Sequence, residues 1–513
     1  MEYYVISPNI YNDGDNYADM MYDKGIAAVG WKANDPKGMQ FKSIKDGDCI
    51  IVAKRNNWHW EYHYMGLVVG EEEKASYGTL SKKLSPIVKL DSHCKLNFDI
   101  WSANGSNQIP SPQRIDNNKG NNRFIIEQIN ILFRMEKYIE LFRTNRNLIL
   151  TGAPGTGKTH LAKAIADKMG AEVGFVQFHP SYDYTDFVEG LRPVQDKNGN
   201  VGFERRDGVF KLFCKKALMP QDDALYQDAI DRFKKDIAKV GAMTVLTSKT
   251  STPFNVTLNS KNTICVVLST DDTWSATDKN LIDYLKTGLY DAQHDTYLHS
   301  IGDYIKKTYL PTVIAHQGYD DESKPFVFII DEINRGEISK IFGELFFSID
   351  PGYRGKDGIV QTQYQNMVED GDVFKEGFYV PENVYIIGTM NDIDRSVESM
   401  DFAMRRRFAW KEVTAEESFE AMKDSMTHAE EIKKRMTALN DAICDEKLGL
   451  NKSYQIGAAY FLKLEDYDGD FDKLWEYHLK GLLSEYLRGN RDAEKQLEKL
   501  KKAYDGNIDS QSE

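Results

Sequence analysis

Cysteine is scarce in this chain: five in 513 residues (Cys49, Cys94, Cys214, Cys265 and Cys444), with no C-x-x-C pair and no histidine cluster nearby. Neither a disulfide framework nor a structural metal site is expected, and the thiols read as reduced groups of a cytoplasmic protein. Long apolar runs are missing too. No stretch of about 18 consecutive apolar residues occurs, so no membrane span is expected. The opening residues, Met1-Glu-Tyr-Tyr-Val-Ile6, carry neither a basic region nor a hydrophobic signal segment. Positive charge is in deficit, at a formal net −14. That argues against a uniformly basic, DNA-coating surface, but it leaves room for a local basic patch or a pore lined by positive loops. What the chain does have is bulk. Its hydrophobic residues make up 41%, enough for real cores, and its length accommodates roughly three to four domains.

Gly152-Ala-Pro-Gly-Thr-Gly-Lys-Thr159 fits the phosphate-binding pattern G-x-x-x-x-G-K-[ST]. Leu148-Ile-Leu150 before it reads as a short buried strand, and His160–Lys168 after it reads as a helix. In that setting Gly152, Ala153, Pro154, Gly155, Thr156 and Gly157 would wrap the phosphates, with backbone N–H groups and the helix N-terminus converging on them. Lys158 would reach the β- and γ-phosphates, and the Thr159 hydroxyl would ligate Mg²⁺. Far downstream, Phe326-Val-Phe-Ile-Ile330 is a continuous apolar run, the mark of a strand buried on both faces of a parallel sheet. It ends in Asp331-Glu332, where ligands bind in open α/β sheets. Asp331 is expected to hold Mg²⁺, and Glu332 to polarise the attacking water. A third strand, Val384–Gly388, delivers Thr389-Met-Asn391, whose amide can orient the same water or touch the γ-phosphate. Arg405, Arg406 and Arg407 follow. Such arginines neutralise transition-state charge in ring NTPases, often across a subunit boundary, although a solvated basic helix end is the plainer alternative.

Strand–loop–helix, Asp-Glu, an Asn-bearing strand and an arginine cluster, in that order, resemble an AAA+ ATPase module. More narrowly, Asp331-Glu-Ile-Asn-Arg-Gly336, Met390-Asn-Asp-Ile-Asp-Arg-Ser396 and Arg405-Arg-Arg-Phe408 resemble the McrB family, GTP-driven motors of modification-dependent restriction systems. Phe178–Gly190 and Tyr454–Phe461 are similar to segments that family carries after its second strand and in its helical lid. The resemblance covers residues 120–465. It implies an α/β fold, an AAA+ P-loop NTPase module with a helical lid, here preceded by a small β-rich domain. It also implies Mg²⁺ as cofactor, GTP (or ATP) as substrate, a homo-oligomeric ring of six, and a separate McrC-like nuclease subunit. By register, Arg406 is the arginine finger, with Arg335 and Arg407 as supporting contacts. One departure stands out: the family reads Met-Asn-Thr-Ala-Asp-Arg-Ser, and here Asp392-Ile393 replaces Thr-Ala. Asn391, Asp394 and Arg395 stay in register, which keeps Asp394 among the nucleotide-binding residues. Asn391-Asp-Ile-Asp394 mimics the guanine-reading motif of small GTPases. However, a strand beside the Asp-Glu strand aims Asn391 at the γ-phosphate, so guanine preference rests on the resemblance alone.

Residues 1–115 read as a β-rich domain, with short strand-like runs (Tyr3–Ile6, Cys49–Ala53, Met65–Val69) between glycine turns. Trp31, Trp58, Trp60, Tyr62, Tyr64 and Trp101 crowd it. Gly25–Trp31 and Gly47–Ala53 are similar to the PUA-like superfamily, whose YTH and EVE members read modified bases. An aromatic pocket for a flipped base and a set of core aromatics are both open readings. Residues 116–123 read as a polar linker, 124–410 as the nucleotide-binding domain, 411–505 as the helical lid and 506–513 as a fraying tail. Within the nucleotide-binding domain, 221–322 is too long for a structureless loop and is expected to be a folded insertion, with a scaffolding, pore, partner or lid role.

Three functions compete. A ring motor hydrolysing GTP would recognise and translocate DNA, modified bases being the expected target, and feed a nuclease subunit, since no nuclease motif is found in the chain. An ATP-using remodeller of proteins, of the MoxR or dynein-related kind, is the second. A non-hydrolysing nucleotide-dependent scaffold is the third, and Glu332, Asn391 and the arginines weigh against it.

Overall fold

A computed structural model describes residues 1–7, 17–30, 34–56, 59–71, 80–90, 113–115, 120–195, 200–219, 223–248, 250–267, 273–287, 295–310, 324–369, 372–393 and 402–506. The chain divides into two compact units, Met1–Leu141 and Phe142–Glu513.

In the first unit a six-stranded sheet runs in the order Ile26–Val29, Leu80–Lys89, His59–Glu71, Cys49–Asn56, Tyr3–Ile6, Gln113–Arg114. Its pairs are antiparallel except for Tyr3–Ile6 on Cys49–Asn56. The unbroken run Ile50-Ile51-Val52 follows from burial on both sides, because successive side chains on a strand alternate faces. Ile50 and Val52 pack with Met21, Phe41 and Tyr64 on one face, while Ile51 packs with Val5 and Met65 on the other. That second face is completed by Ile129 and Phe133 of the long helix Gly120–Asn145. The compact unit thus extends to Leu141, past the 115 and 124 boundaries read from sequence, because a sheet apolar on both faces needs the helix to cover it. Tyr64, one of the crowded aromatics, is a core residue: 1% exposed, its hydroxyl donates to the Ile26 carbonyl at 2.6 Å. Trp31, Trp58 and Trp101 lie outside the described residues, as does the Trp60 side chain.

The second unit is built on a five-stranded parallel sheet ordered Ala409–Glu412, Asn147–Thr151, Val384–Thr389, Phe326–Asp331, Glu172–Gln177. Phe326–Ile330 and Val384–Gly388 are buried throughout, which explains their continuous apolar runs. Below the acidic strand an aromatic cluster packs closely: Phe187 stacks on Phe210 at 4.8 Å, and Phe328 meets Phe210 edge-on at 5.0 Å. Between the helix Val209–Leu218 and the acidic strand lies a folded insertion. Its antiparallel sheet (Met243–Leu246, Pro253–Leu258, Ile264–Val267, Thr273–Ala276) and the helices Asp223–Val240, Asp278–Thr287 and Asp295–Thr308 share a core of their own around Phe233, Val256, Leu281 and Ile301.

After the last sheet strand comes a helical lid whose core gathers Leu439, Phe461, Leu474, Leu483 and Tyr504. The charged stretch Ala415–Asn440 reads as one helix from its composition. The structure has two, Ala415–Met422 and Ala429–Ile443. The break falls in Asp424-Ser-Met-Thr-His428, rich in side chains that favour turns over helix interiors. Thr427 donates both its backbone N–H and its hydroxyl to Glu465 at 2.8 Å, which holds the chain there. Among the described residues no helix is long and apolar enough to cross a membrane. Cys49, Cys214 and Cys265 are buried free thiols and Cys444 is half-buried, while Cys94 is outside the described residues. Burial pushes the thiols of Cys49 and Cys214 up, away from the reactive thiolate form.

Candidate nucleotide site

Parallel strands bring their carboxyl ends to one edge, so Thr151, Asp331 and Thr389 arrive together although they are far apart in sequence. The phosphate loop leaves its strand there and enters the helix Lys158–Lys168. Gly157 caps that helix at φ +77, a conformation glycine adopts without strain. Lys158 is drawn back over its own loop, donating to the carbonyls of Ala153 (2.8 Å) and Gly152 (3.0 Å). Thr156 is 1% exposed and its hydroxyl donates to the same Ala153 carbonyl at 3.0 Å. Burial lowers the Lys158 ammonium to about 8, against the opposing pull of Glu332, Asp392 and Asp331.

The Thr159 hydroxyl donates to Asp331 Oδ1 at 2.6 Å, and the Thr389 hydroxyl donates to the same oxygen at 2.7 Å. Hydroxyl and carboxylate are the hard oxygen donors that suit Mg²⁺, so Thr159 and Asp331 fit the ion and would hold it beside the phosphates. Glu332 leaves the strand at φ +53, left-handed and costly for a residue with a side chain, of order 1–3 kcal/mol. Strain of that kind persists where a neighbour requires it. Here the turn carries the Glu332 carboxylate to Asn391, whose amide donates to its Oε1. Arg335 pairs with the other oxygen at 3.3 Å. Asn391 and Arg335 therefore fix the orientation of the Glu332 carboxylate.

The register of the resemblance singles out Arg406 among the three arginines, and their surroundings differ in the structure as well. Arg407, expected as a supporting contact, is turned inward in the single chain. Its side chain is 10% exposed, Nε lies 3.7 Å from Asp350, Nη1 donates to the Ala403 carbonyl at 2.5 Å, and the guanidinium sits over Phe346. Arg405 stacks on Trp410 at 4.9 Å. Arg406 is exposed, and its guanidinium makes no polar contact with the described residues. Arg335, expected beside it, meets Glu332 of its own chain. Asp394 and Arg395 lie outside the described residues.

Some of the site is not obvious from sequence. The lid sits directly on the phosphate loop: Gly457 N–H donates to the Pro154 carbonyl and Ala459 N–H to that of Gly155, both at 3.0 Å. A Cβ on Gly457 would fall 2.2 Å from the Gly155 carbonyl carbon, so only glycine permits this approach. Asp392, which stands where the resembling family has threonine, lies against the loop. Burial raises its pKa, partly offset by Lys158 and by a hydrogen bond from the Gly152 N–H. The Phe178–Gly190 segment braces the acidic strand from the other side: Phe178 N–H donates to the Asp331 carbonyl at 2.9 Å, and Asp183 caps the short helix Tyr184–Phe187.

Residues 147–265 and 294–408 match a family model described as AAA domain, dynein-related subfamily, and residues 431–495 match one described as McrB, alpha-helical lid domain. The chain contains a McrB-like AAA+ module. The gap in the first match falls within the folded insertion. Among curated proteins this McrB-like chain is similar to the type IV methyl-directed restriction enzyme EcoKMcrB subunit of Escherichia coli (strain K12). The two are 28% identical over 353 residues, 65% of this chain and 52% of that protein. It is also similar to the type II restriction enzyme BsuMI component YdiS of Bacillus subtilis (strain 168), 29% identical over 284 residues, 54% of this chain and 60% of the other. Midasin of Dictyostelium discoideum is 25% identical over 187 residues, 36% of this chain and 3% of its own length. The McrB-like chain thus spans 52% and 60% of the two restriction relatives.

Proposed function

We propose that this chain is the nucleotide-hydrolysing motor subunit of a modification-dependent restriction system. In this reading it works in the cytoplasm as a ring of identical subunits, probes DNA through its first unit, and hands cleavage to a separate nuclease subunit. The observation that carries it is the joined pair Glu332–Asn391 next to Thr159–Asp331, which brings a water-activating carboxylate beside oxygen ligands for Mg²⁺. When bound, Mg²⁺ neutralises developing phosphate charge. The chain's own residues do the rest. Lys158 and the loop N–H groups hold the phosphates, Glu332 takes a proton from the attacking water, and Asn391 fixes the carboxylate that takes it. Arg406, exposed and without a polar partner among the described residues, is the finger offered to the next subunit's nucleotide, and its supply in trans makes assembly depend on nucleotide. GTP is the proposed substrate on the strength of the McrB resemblance. The match to the dynein-related description favours the competing reading, an ATP-driven remodeller of proteins.

Purified protein given GTP or ATP in turn decides between them: hydrolysis of GTP alone supports the restriction motor, and hydrolysis of ATP alone supports the remodeller. Glu332→Gln should keep nucleotide binding while slowing hydrolysis by about 10² to 10⁴. Wild-type turnover in that variant would overturn the assignment of the base.

A further inference from the structure

Two consecutive residues on an extended strand point to opposite faces, yet Asp331 and Glu332 must serve one nucleotide. The chain resolves this by turning left-handed at Glu332. At the start of that turn the Glu332 backbone N–H is anchored to the neighbouring strand, donating to Thr389 Oγ1 at 3.1 Å. A hydroxyl carries a single proton, and an N–H can only donate. Thr389 must therefore accept from Glu332, which commits its own proton to Asp331 Oδ1 at 2.7 Å. One side chain thus grips the carboxylate of the first acid and the backbone of the second. Thr389 is 2% exposed, and its β-branch restricts χ1, so the hydroxyl is held on this bearing.

We infer that Thr389 is a positioning residue whose hydroxyl sets both the Mg²⁺-holding orientation of Asp331 and the turn that delivers Glu332. The inference rests on the hydrolase reading above and names a residue that reading does not use. Thr389 touches no phosphate in this scheme. It acts through the two acids, coupling the ion-holding group to the water-activating one. Removing the hydroxyl should weaken both functions together, whereas loss of either acid alone would damage one.

The test uses the full chain with Thr389→Val, which keeps the branched shape and leaves no room for a water to replace the hydroxyl. Thr389→Ser serves as the rescue. Binding of a fluorescent triphosphate, carrying whichever base the wild type hydrolyses, is measured with Mg²⁺ and with EDTA, alongside kcat, KM and the melting temperature. Thr389→Val should lose about 10-fold to 100-fold in the affinity gained from Mg²⁺ and a similar factor in kcat, with EDTA binding unchanged. Thr389→Ser should recover most of both. A lowered melting temperature with an intact Mg²⁺ gain would mean a merely structural role and would overturn the inference, as would wild-type values of both quantities. Should Thr389→Val fail to fold, Thr389→Cys, close in volume and a weak donor, carries the same expectation and the same refutation. Glu332→Gln in the same assay separates the two failures. If it turns over normally, the hydrolase reading falls; if it is inactive while Thr389→Val is normal, this inference alone falls.

Discussion

The two units use their buried polar groups in different ways. Among the described residues of Met1–Leu141 several of them end on the unit's own backbone: Tyr64 on the Ile26 carbonyl, Lys82 on that of Ile44 at 2.9 Å, Asp48 on the N–H groups of Glu2 and Lys45, while the Tyr3 hydroxyl donates to the Asn130 side chain at 2.9 Å. In Phe142–Glu513 the site is a chain of side chains bonded to side chains: Thr159 to Asp331, Thr389 to Asp331, Asn391 to Glu332. Side chain–side chain bonds are the minority type in proteins, about 10–15% of the total. A cluster of them at the mouth of a sheet, tied to a strained φ, goes beyond what backbone satisfaction requires. At the sheet mouth, polar groups that complete one another join Lys158 and the loop backbone as the groups offered to a ligand, whereas a pair such as Lys211–Glu189, buried elsewhere in the same unit, holds the fold.

The largest expected effect tests which arginine is among the groups offered to a ligand. Arg406→Ala should cut hydrolysis by about 10³-fold or more, and mixing it with Glu332→Gln protein should restore part of the activity. The Glu332→Gln subunits would supply the missing Arg406 to intact sites in their neighbours. Arg407→Ala should instead lower the unfolding temperature, because Asp350 and Phe346 lose their partner, and leave hydrolysis per folded molecule within a few fold. Phosphate release and calorimetry on the same samples read both. No recovery in demonstrably mixed rings would remove Arg406 from a trans role.

An intermediate effect comes from Lys158, whose pKa burial lowers to about 8. Phosphate favours the charged form, so nucleotide affinity should be flat below pH 8 and fall by about tenfold per pH unit above it, followed by fluorescence titration. This group's effect on the stability of the nucleotide-free chain has the opposite sign. Between pH 8 and 10.5 the unfolded chain retains the proton and the folded one has released it, so stability rises with pH through that window. Affinity that is constant to pH 10 would show that the ammonium does not meet the phosphates. The smallest effect lies in the first unit. Tyr64→Phe should cost about 1 kcal/mol, seen as a lowered melting transition, and leave nucleotide hydrolysis unchanged.

How much of this was legible depended on whether the signal was local. The phosphate loop and Asp331-Glu332 are contiguous motifs at the ends of apolar runs, and the runs themselves announce a parallel sheet. Thr389 was hidden because a threonine at a strand end looks like ordinary β-branched filling; only the neighbouring strand reveals what its hydroxyl meets. Arg405, Arg406 and Arg407 are told apart in the sequence only by register with the resembling family; residue type alone does not show that Arg407 lies against Asp350 while Arg406 is exposed. Residues 124–141 read as part of the nucleotide-binding domain because a helix's sequence says that it has an apolar stripe, but not which sheet the stripe covers. Ile129 and Phe133 complete the first unit's core.

The two backbone bonds between the lid and the phosphate loop have a mechanical consequence. Gly457 and Ala459 grip the carbonyls of Pro154 and Gly155, in the loop whose N–H groups are to hold phosphate. A lid that swings must either break these bonds or drag the loop with it, and glycine at 457 leaves no slack between the two backbones. The lid is therefore geared to the loop. A displacement of the lid helices would then reach the phosphate loop through these two bonds, and a displacement of the loop would reach the lid by the same route.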